Sequence, residues 1–217
     1  MNNQFQKVFQ LCLNVLQQDM GGSIPDSLFK QCLRTLQAFL SWIPNDYIFN
    51  YGLVEGLISK FIQPATTRVD AIKCITEVSC LTFEDFEENE QRTMKEKLCF
   101  YFCTMMQQVN VTTKGRSLLQ EFKSVENTKS QAGFETFAKQ LAIAISSVLR
   151  NNIDFIEALA NTVEPNQEIQ MLRDQTLQGL TYLAQMSRIQ DEELFKICLD
   201  FWHFFANDVM KKQMHYA

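Results

Sequence analysis

The amino-acid sequence predicts an all-α chain built from antiparallel helix pairs stacked side by side, about nine helices in all. Three observations carry that reading. Apolar residues recur at i, i+3, i+4 and i+7 in one segment after another. Pro25, Pro44 and Pro64 fall about 20 residues apart, the length of one helix plus its turn, so they punctuate helices rather than interrupt them. Seven Gly and four Pro among 217 residues are too few for the turns of an all-β sandwich or a doubly wound α/β domain.

The first helix is expected over Asn3 to Met20, with Phe5, Val8, Phe9, Cys12 and Leu16 on one face and a stop at Gly21-Gly22. Ser23 to Asp26 makes a corner, with Asp26 or Ser27 as N-cap. The second helix then carries Leu28, Phe29, Cys32, Leu33, Leu36, Phe39, Leu40 and Ile43 until Pro44. The following segment resumes at Asn45 and leads into a returning helix, Gly52 to Ile62, closed by Pro64. A fourth helix, Thr67 to Cys80, places Val69, Ile72, Ile75 and Val78 on one face and Asp70, Lys73 and Glu77 opposite. Phe83 to Gln91 is acidic, which suits a helix start and its dipole; Met94, Leu98, Phe102, Met105, Met106 and Val109 continue it.

Residues 110–130 break the rhythm and are read as a long inter-helix loop, a candidate binding or disordered element. From Gln131 the helical spacing returns through Phe134, Phe137, Leu141, Ile145 and Val148. A separate short segment, Ile153 to Ala160, and a stop at Val163-Glu164-Pro165 complete a hairpin. Asn166 is placed as the cap of a helix carrying Ile169, Leu172, Leu177, Leu180 and Leu183. Asp191 caps the last, which carries Leu194, Phe195, Cys198, Phe201, Trp202 and Phe205. Pairs recurring every ~40 to 45 residues fit the HEAT and armadillo class of repeat, and the expected architecture is an α-solenoid with an aromatic-rich core. Residues 1–217 read as a single HEAT-repeat segment of a longer solenoid.

Composition narrows the function. A net charge of -5 and a pI near 5.1 argue against a nucleic-acid partner. No run reaches the ~18 apolar residues of a membrane span. The seven Cys, with no secretory leader ahead of them, read as reduced thiols inside apolar helix faces, and Cys99 and Cys103 lack the partners of a zinc site. Asn110-Val111-Thr112 matches a glycosylation sequon by chance. His203 and His215 are the only histidines, neither has a nucleophile in view, and phosphate-binding glycine loops and HExxH are absent, so no enzyme, cofactor or metal is expected. Solenoids bind through extended helix faces, which makes Arg34, Lys73, Glu77, Lys139, Arg173 and Asp174 the polar positions expected to face a partner.

Two stretches say more than periodicity. LRTLQAFLSWIPNDYIF (Leu33 to Phe49), followed by LISKFIQ (Leu57 to Gln63) and IKCITEV (Ile72 to Val78), resembles the middle HEAT repeats of the exportin-1 family of nuclear export receptors, within the karyopherin superfamily. LFKICLDFWHFFANDV (Leu194 to Val209) is similar to that family's helix just before its acidic loop. The resemblance implies a fragment of a receptor several times longer. That receptor would bind leucine-rich export-signal cargo together with Ran-GTP, contact Phe-Gly nucleoporins, and shuttle between nucleus and cytoplasm. On this reading the Ran-binding amino-terminal repeats, the acidic loop and the cargo groove lie outside Met1 to Ala217. The segment supplies ring wall, with inner helices in reach of Ran, and none of its Cys is the groove's reactive one. The alternative is a HEAT-repeat scaffold that assembles another multiprotein complex.

Overall fold

The computed structural model describes residues 3–18, 20–113, 118, 120, 128–162 and 166–216. Among them are nine helices and no strand: α1 (Asn3–Leu16), α2 (Asp26–Leu40), α3 (Asn45–Phe49), α4 (Leu53–Phe61), α5 (Arg68–Ser79), α6 (Glu88–Thr112), α7 (Thr128–Ala160), α8 (Gln167–Met186) and α9 (Glu192–Tyr216). The helices form two rows. α2, α5, α7 and α9 touch in that order, and so do α4, α6 and α8; across the rows α1 packs on α2, α4 on α5, α6 on α7 and α8 on α9. α1 heads the second row, because Lys60 Nζ of α4 donates to the carbonyl of Gln17 just past its end (2.9 Å). This is the two-layer stack of a HEAT-like α-solenoid. One continuous core, from Phe9 to Phe201, fills the space between the rows.

The proline corners work as the sequence predicts, with one shift each. Pro25 itself occupies the N-cap of α2, extended at φ -72°, so Asp26 is the first helical residue and neither Asp26 nor Ser27 caps by its side chain. α2 stops at Leu40 and Pro44 caps α3, a five-residue helix between the two longer ones. Gly52 then takes φ +64°, a left-handed geometry that costs other residues about 1 kcal/mol or more, and turns the chain into α4. Past Pro64, Thr67 is fully buried and its hydroxyl donates to the Phe61 carbonyl (3.0 Å), pinning the corner before α5.

Several expectations change. α1 ends at Leu16, ahead of Gly21, whose positive φ of 85° lies in the turn beyond. Asp70 is buried rather than solvated, because α5 is covered by α2, α4 and α7, while Lys73 and Glu77 stay half-buried. α6 is one helix of 25 residues with Glu88 and Glu90 in its first turn, as the dipole argument requires; the acidic run from Glu84 ahead of it lies in the preceding turn, solvent-exposed except for half-buried Phe86. α7 is a single helix of 33 residues, so no separate segment or hairpin exists at Ile153 to Ala160. The apolar spacing Ile145, Val148, Leu149, Ile153, Ile156 runs unbroken through Asn151 and Asn152, and both amides are satisfied in place. Asn152 Nδ2 donates to the Val148 carbonyl (3.0 Å) and Asn151 Nδ2 to the Ser79 carbonyl of α5 (3.1 Å). Among the described residues the helix count of nine therefore stands on different members, with α3 taking the place of the second half of α7.

The loop expected over 110–130 is cut back at both ends, and the described residues Leu118 and Gln120 within it are helical. Asn110 to Thr112 finish α6 and Thr128 to Ser130 begin α7; of the residues between, Leu118 is buried and its N–H donates to Gln185 Oε1 (3.0 Å). Most of that stretch, and the stop expected at 163–165, lie outside the described residues.

In α8 the buried side is Leu172, Gly179, Tyr182, Leu183 and Met186, while Leu177 is 63% exposed and belongs to the opposite face. α9 buries Leu194, Cys198 and Phe201 but leaves Phe195 about half in solvent.

Candidate interaction surface

The six polar positions expected to face a partner divide between the rows. Arg34, Lys73, Glu77 and Lys139 sit on α2, α5 and α7 of one row; Arg173 and Asp174 sit on α8 of the other. Four of the six are already bonded to neighbouring helices or turns. Arg34 Nε pairs with Asp70 Oδ1 of α5 (3.2 Å), an exposed cation on a carboxylate with 8% of its side chain in solvent. Glu77 Oε1 accepts from Gln37 Nε2 of α2 (3.4 Å). Lys139 bridges Asp191 Oδ2 (2.9 Å) and Glu193 Oε2 (2.8 Å) at the start of α9. The hydrogen bond to Glu193, then that to Asp191, holds the lysine ammonium above its usual range. Asp191 is held below the carboxylate range, first by the Leu194 N–H it caps (2.8 Å) and then by Lys139. Arg173 donates to the carbonyls of Ala160 and Thr162, closing the C-terminal end of α7. Asp174 accepts from Gln170 one turn earlier (3.1 Å), and Lys73 is half-buried on the same face as Glu77.

Along the second row a cleft of about 510 Å³ opens where α4 and α6 meet the start of α8. Its floor includes Phe49, Tyr101 and Ile169, and its rim carries Glu55, Lys97 and Glu168. Tyr101 Oη donates to Glu55 Oε1 (3.0 Å); burial first, then that carboxylate, raises the phenol out of its ordinary range. Phe100 stands half-exposed at the mouth. Asn166 closes the end of the cleft as the expected cap of α8, its Oδ1 accepting from Ile169 N (2.9 Å). An apolar floor with a mixed-charge rim is the lining of a small binding cleft.

Nothing in these contacts assembles a catalytic set. His203 lies exposed on α9, its Nε2 3.0 Å from Asn207 Nδ2, beside Arg150, whose guanidinium stands over the Phe204 ring (5.4 Å). All seven cysteines are free thiols. Six are buried, and Cys80, expected inside an apolar face, is exposed instead because it caps the C-terminal end of α5. The sequon residue Asn110 is spent between α6 and α8, where its Nδ2 donates to Gln178 Oε1 (2.6 Å) and its Oδ1 accepts from Tyr182 Oη. No helix among the described residues is long and apolar enough to cross a membrane.

Sequence reasoning missed the partners Asp70 and Asp191 as site-forming groups, and also Asp154, Glu157, Asp208 and Lys212. These last four meet between α7 and α9. The only sequence signal for them is helical spacing, i, i+3 for the first two and i, i+4 for the second two; no local pattern tells one pair that it faces the other.

Comparison with known proteins places this architecture. The profile of the family described as exportin 1-like protein matches residues 1–75, and that of the chromosome region maintenance or exportin repeat matches residues 174–209. Protein EXPORTIN 1B of Arabidopsis thaliana is 30% identical over 215 residues, covering 99% of this chain and 18% of the relative. Exportin-1 of Schizosaccharomyces pombe is 32% identical over 202 residues, 93% of this chain and 16% of the relative. Exportin-1 of Drosophila melanogaster is 28% identical over 213 residues, 98% of this chain and 18% of the relative. The chain thus spans less than a fifth of the length of these relatives.

Proposed function

The chain belongs to the exportin 1-like family, and from that premise we propose that it is a stretch of solenoid wall in a nuclear export receptor. The receptor binds leucine-rich export-signal cargo together with Ran-GTP, passes the nuclear pore through Phe-Gly nucleoporins, and shuttles between nucleus and cytoplasm. It works by binding rather than catalysis: two ligands that each prefer one curvature of a solenoid favour each other's binding, and the coupling is reciprocal. Residues 1–217 act as one segment of a longer solenoid that lacks the cargo groove. Arg34, Lys73, Glu77, Lys139, Arg173 and Asp174 are partner-facing positions within it, and the stretch between α6 and α7 is a binding element.

The observation that carries this reading is the similarity to exportin-1 relatives across 93 to 99% of the chain, on a fold of two helix rows that itself has no catalytic set among the described residues. The test is a binding assay on the full-length protein with Ran loaded with a non-hydrolysable GTP analogue or with GDP, each with and without a leucine-rich signal peptide. Ran retained only in its GTP form, and more tightly with the peptide, is the expected result. Equal binding of both forms, or of neither, would overturn the proposal in favour of a HEAT-repeat scaffold for another complex.

A further inference from the structure

α7 and α9 are neighbours in one row, and ion pairs join them near both ends. At the start of α9, Lys139 of α7 holds Asp191 and Glu193. About 22 Å further along α7, at 1.5 Å per residue, Lys212 of α9 holds Asp154 Oδ1 (2.8 Å) and Glu157 Oε2 (2.6 Å) of α7, together with Asp208 Oδ2 (2.7 Å) of its own helix. The three carboxylates each bring an oxygen to within 4.8 Å of the others. That is the spacing of oxygen ligands around a hard divalent cation. Here the ammonium occupies the centre, 2.6 to 2.8 Å from an oxygen of each carboxylate, and donates a hydrogen bond to Glu157 Oε2.

We propose that Asp154, Glu157 and Asp208 form a cation site whose resident ion is the Lys212 ammonium, and that this internal ion latches α7 to α9 and holds the angle between two successive members of the row.

Two features separate this from an ordinary surface pair. One lysine faces three carboxylates, so the group carries excess negative charge, and removing the lysine leaves mutual repulsion rather than a neutral gap. The carboxylates also come from two helices, two from α7 and one from α9, so repulsion among them acts on the interface itself. The lysine is raised out of its usual range, against the opposing effect of its burial, by bonds to Asp154, Asp208 and Glu157 in turn; the ammonium therefore stays charged at any physiological pH. Lys139 makes the same kind of bridge at the other end with two carboxylates, so the pair of helices is pinned at two points and can pivot when either is released.

The test replaces the internal ion by an external one. In the intact protein, Lys212→Ala should lower Tm by roughly 2 to 4 °C and speed amide hydrogen exchange several-fold in residues 150–160 and 204–214. Millimolar calcium should reverse both changes in the variant and leave the parent protein untouched. The triple substitution Lys212→Ala, Asp154→Asn, Asp208→Asn should lose the calcium response. A Lys212→Ala protein whose exchange matches the parent, or which ignores calcium, would overturn the proposal, because a lysine acting only through its packed stem predicts no cation rescue. A second measurement covers a variant that fails to fold: raising NaCl to 1 M shortens the screening length to ~3 Å, so exchange in the same two segments of the parent should accelerate, and its constancy would overturn the latch as well.

Discussion

Gly179 gives the sharpest check on the packing between the rows. It lies in the buried face of α8, and a Cβ built there would stand 3.2 Å from Cζ of Phe102 on α6 and 3.3 Å from Cγ2 of Ile145 on α7. Both neighbours are fully or nearly fully buried, so neither can swing into solvent. Gly56 provides the contrast: it too is helical, in α4, yet a Cβ there meets nothing within 4 Å. Replacing glycine by alanine inside a helix gains ~0.5 to 1 kcal/mol from the unfolded chain's lost freedom. At Gly56 that gain stands alone, and Tm should rise by about 1 to 4 °C. At Gly179 it is opposed by overpacking of ~1 to 3 kcal/mol, leaving a net loss on the order of 1 kcal/mol and a Tm lower by about 2 to 4 °C.

The assay is urea or thermal unfolding followed by circular dichroism on the two single variants side by side. Phe102→Leu shortens the ring that the new methyl meets, so it should cost less in the Gly179→Ala background than alone, with a coupling of at least ~0.5 kcal/mol. If Gly179→Ala stabilises as much as Gly56→Ala, the close three-helix contact is wrong and the reasoning fails.

Other consequences can be read in the same experiments. Burial pushes the thiols of Cys12, Cys74, Cys99 and Cys103 up to about 12, whereas the unfolded chain releases its thiol protons from about pH 9. Between those values the native state holds protons that the unfolded state has lost. Stability is therefore full below about pH 9 and declines from there toward 12, and the urea midpoint should fall between pH 8 and pH 10.5. Replacing these four cysteines by alanine should flatten that fall; an unchanged pH profile would refute the attribution. On α8, Leu183→Ala removes a side chain with no solvent exposure and should cost ~2 to 5 kcal/mol, whereas Leu177→Ala, at a position 63% exposed, should stay within ~0.5 kcal/mol. Equal losses at the two sites would mean that the face of α8 is assigned incorrectly.

The sequence alone was enough for the fold class and for much of the element order, because both follow from local causes. Apolar spacing sets which residues lie on one helix face, proline fixes φ and removes a donor at each corner, and Asn166 and Asp191 reach backbone N–H groups only three residues away. The same local information is why the segment Leu33 to Phe49 carries a family resemblance at all.

What it did not determine depends on groups far apart in the chain. The separation expected between Val148 and the segment from Ile153 is absent, and one of the amides there, Asn151, is satisfied by Ser79 of α5, 72 residues away. Asp70 belongs on a polar face by spacing and is buried because α2 brings Arg34 to it. Leu177 counts as apolar by spacing and remains in solvent, because α6 and α7 cover α8 at Gly179 instead. Periodicity gives the direction of a side chain relative to its own helix axis; only the stacking of rows decides which directions meet another helix, and the Lys212 site between α7 and α9 exists only once they do.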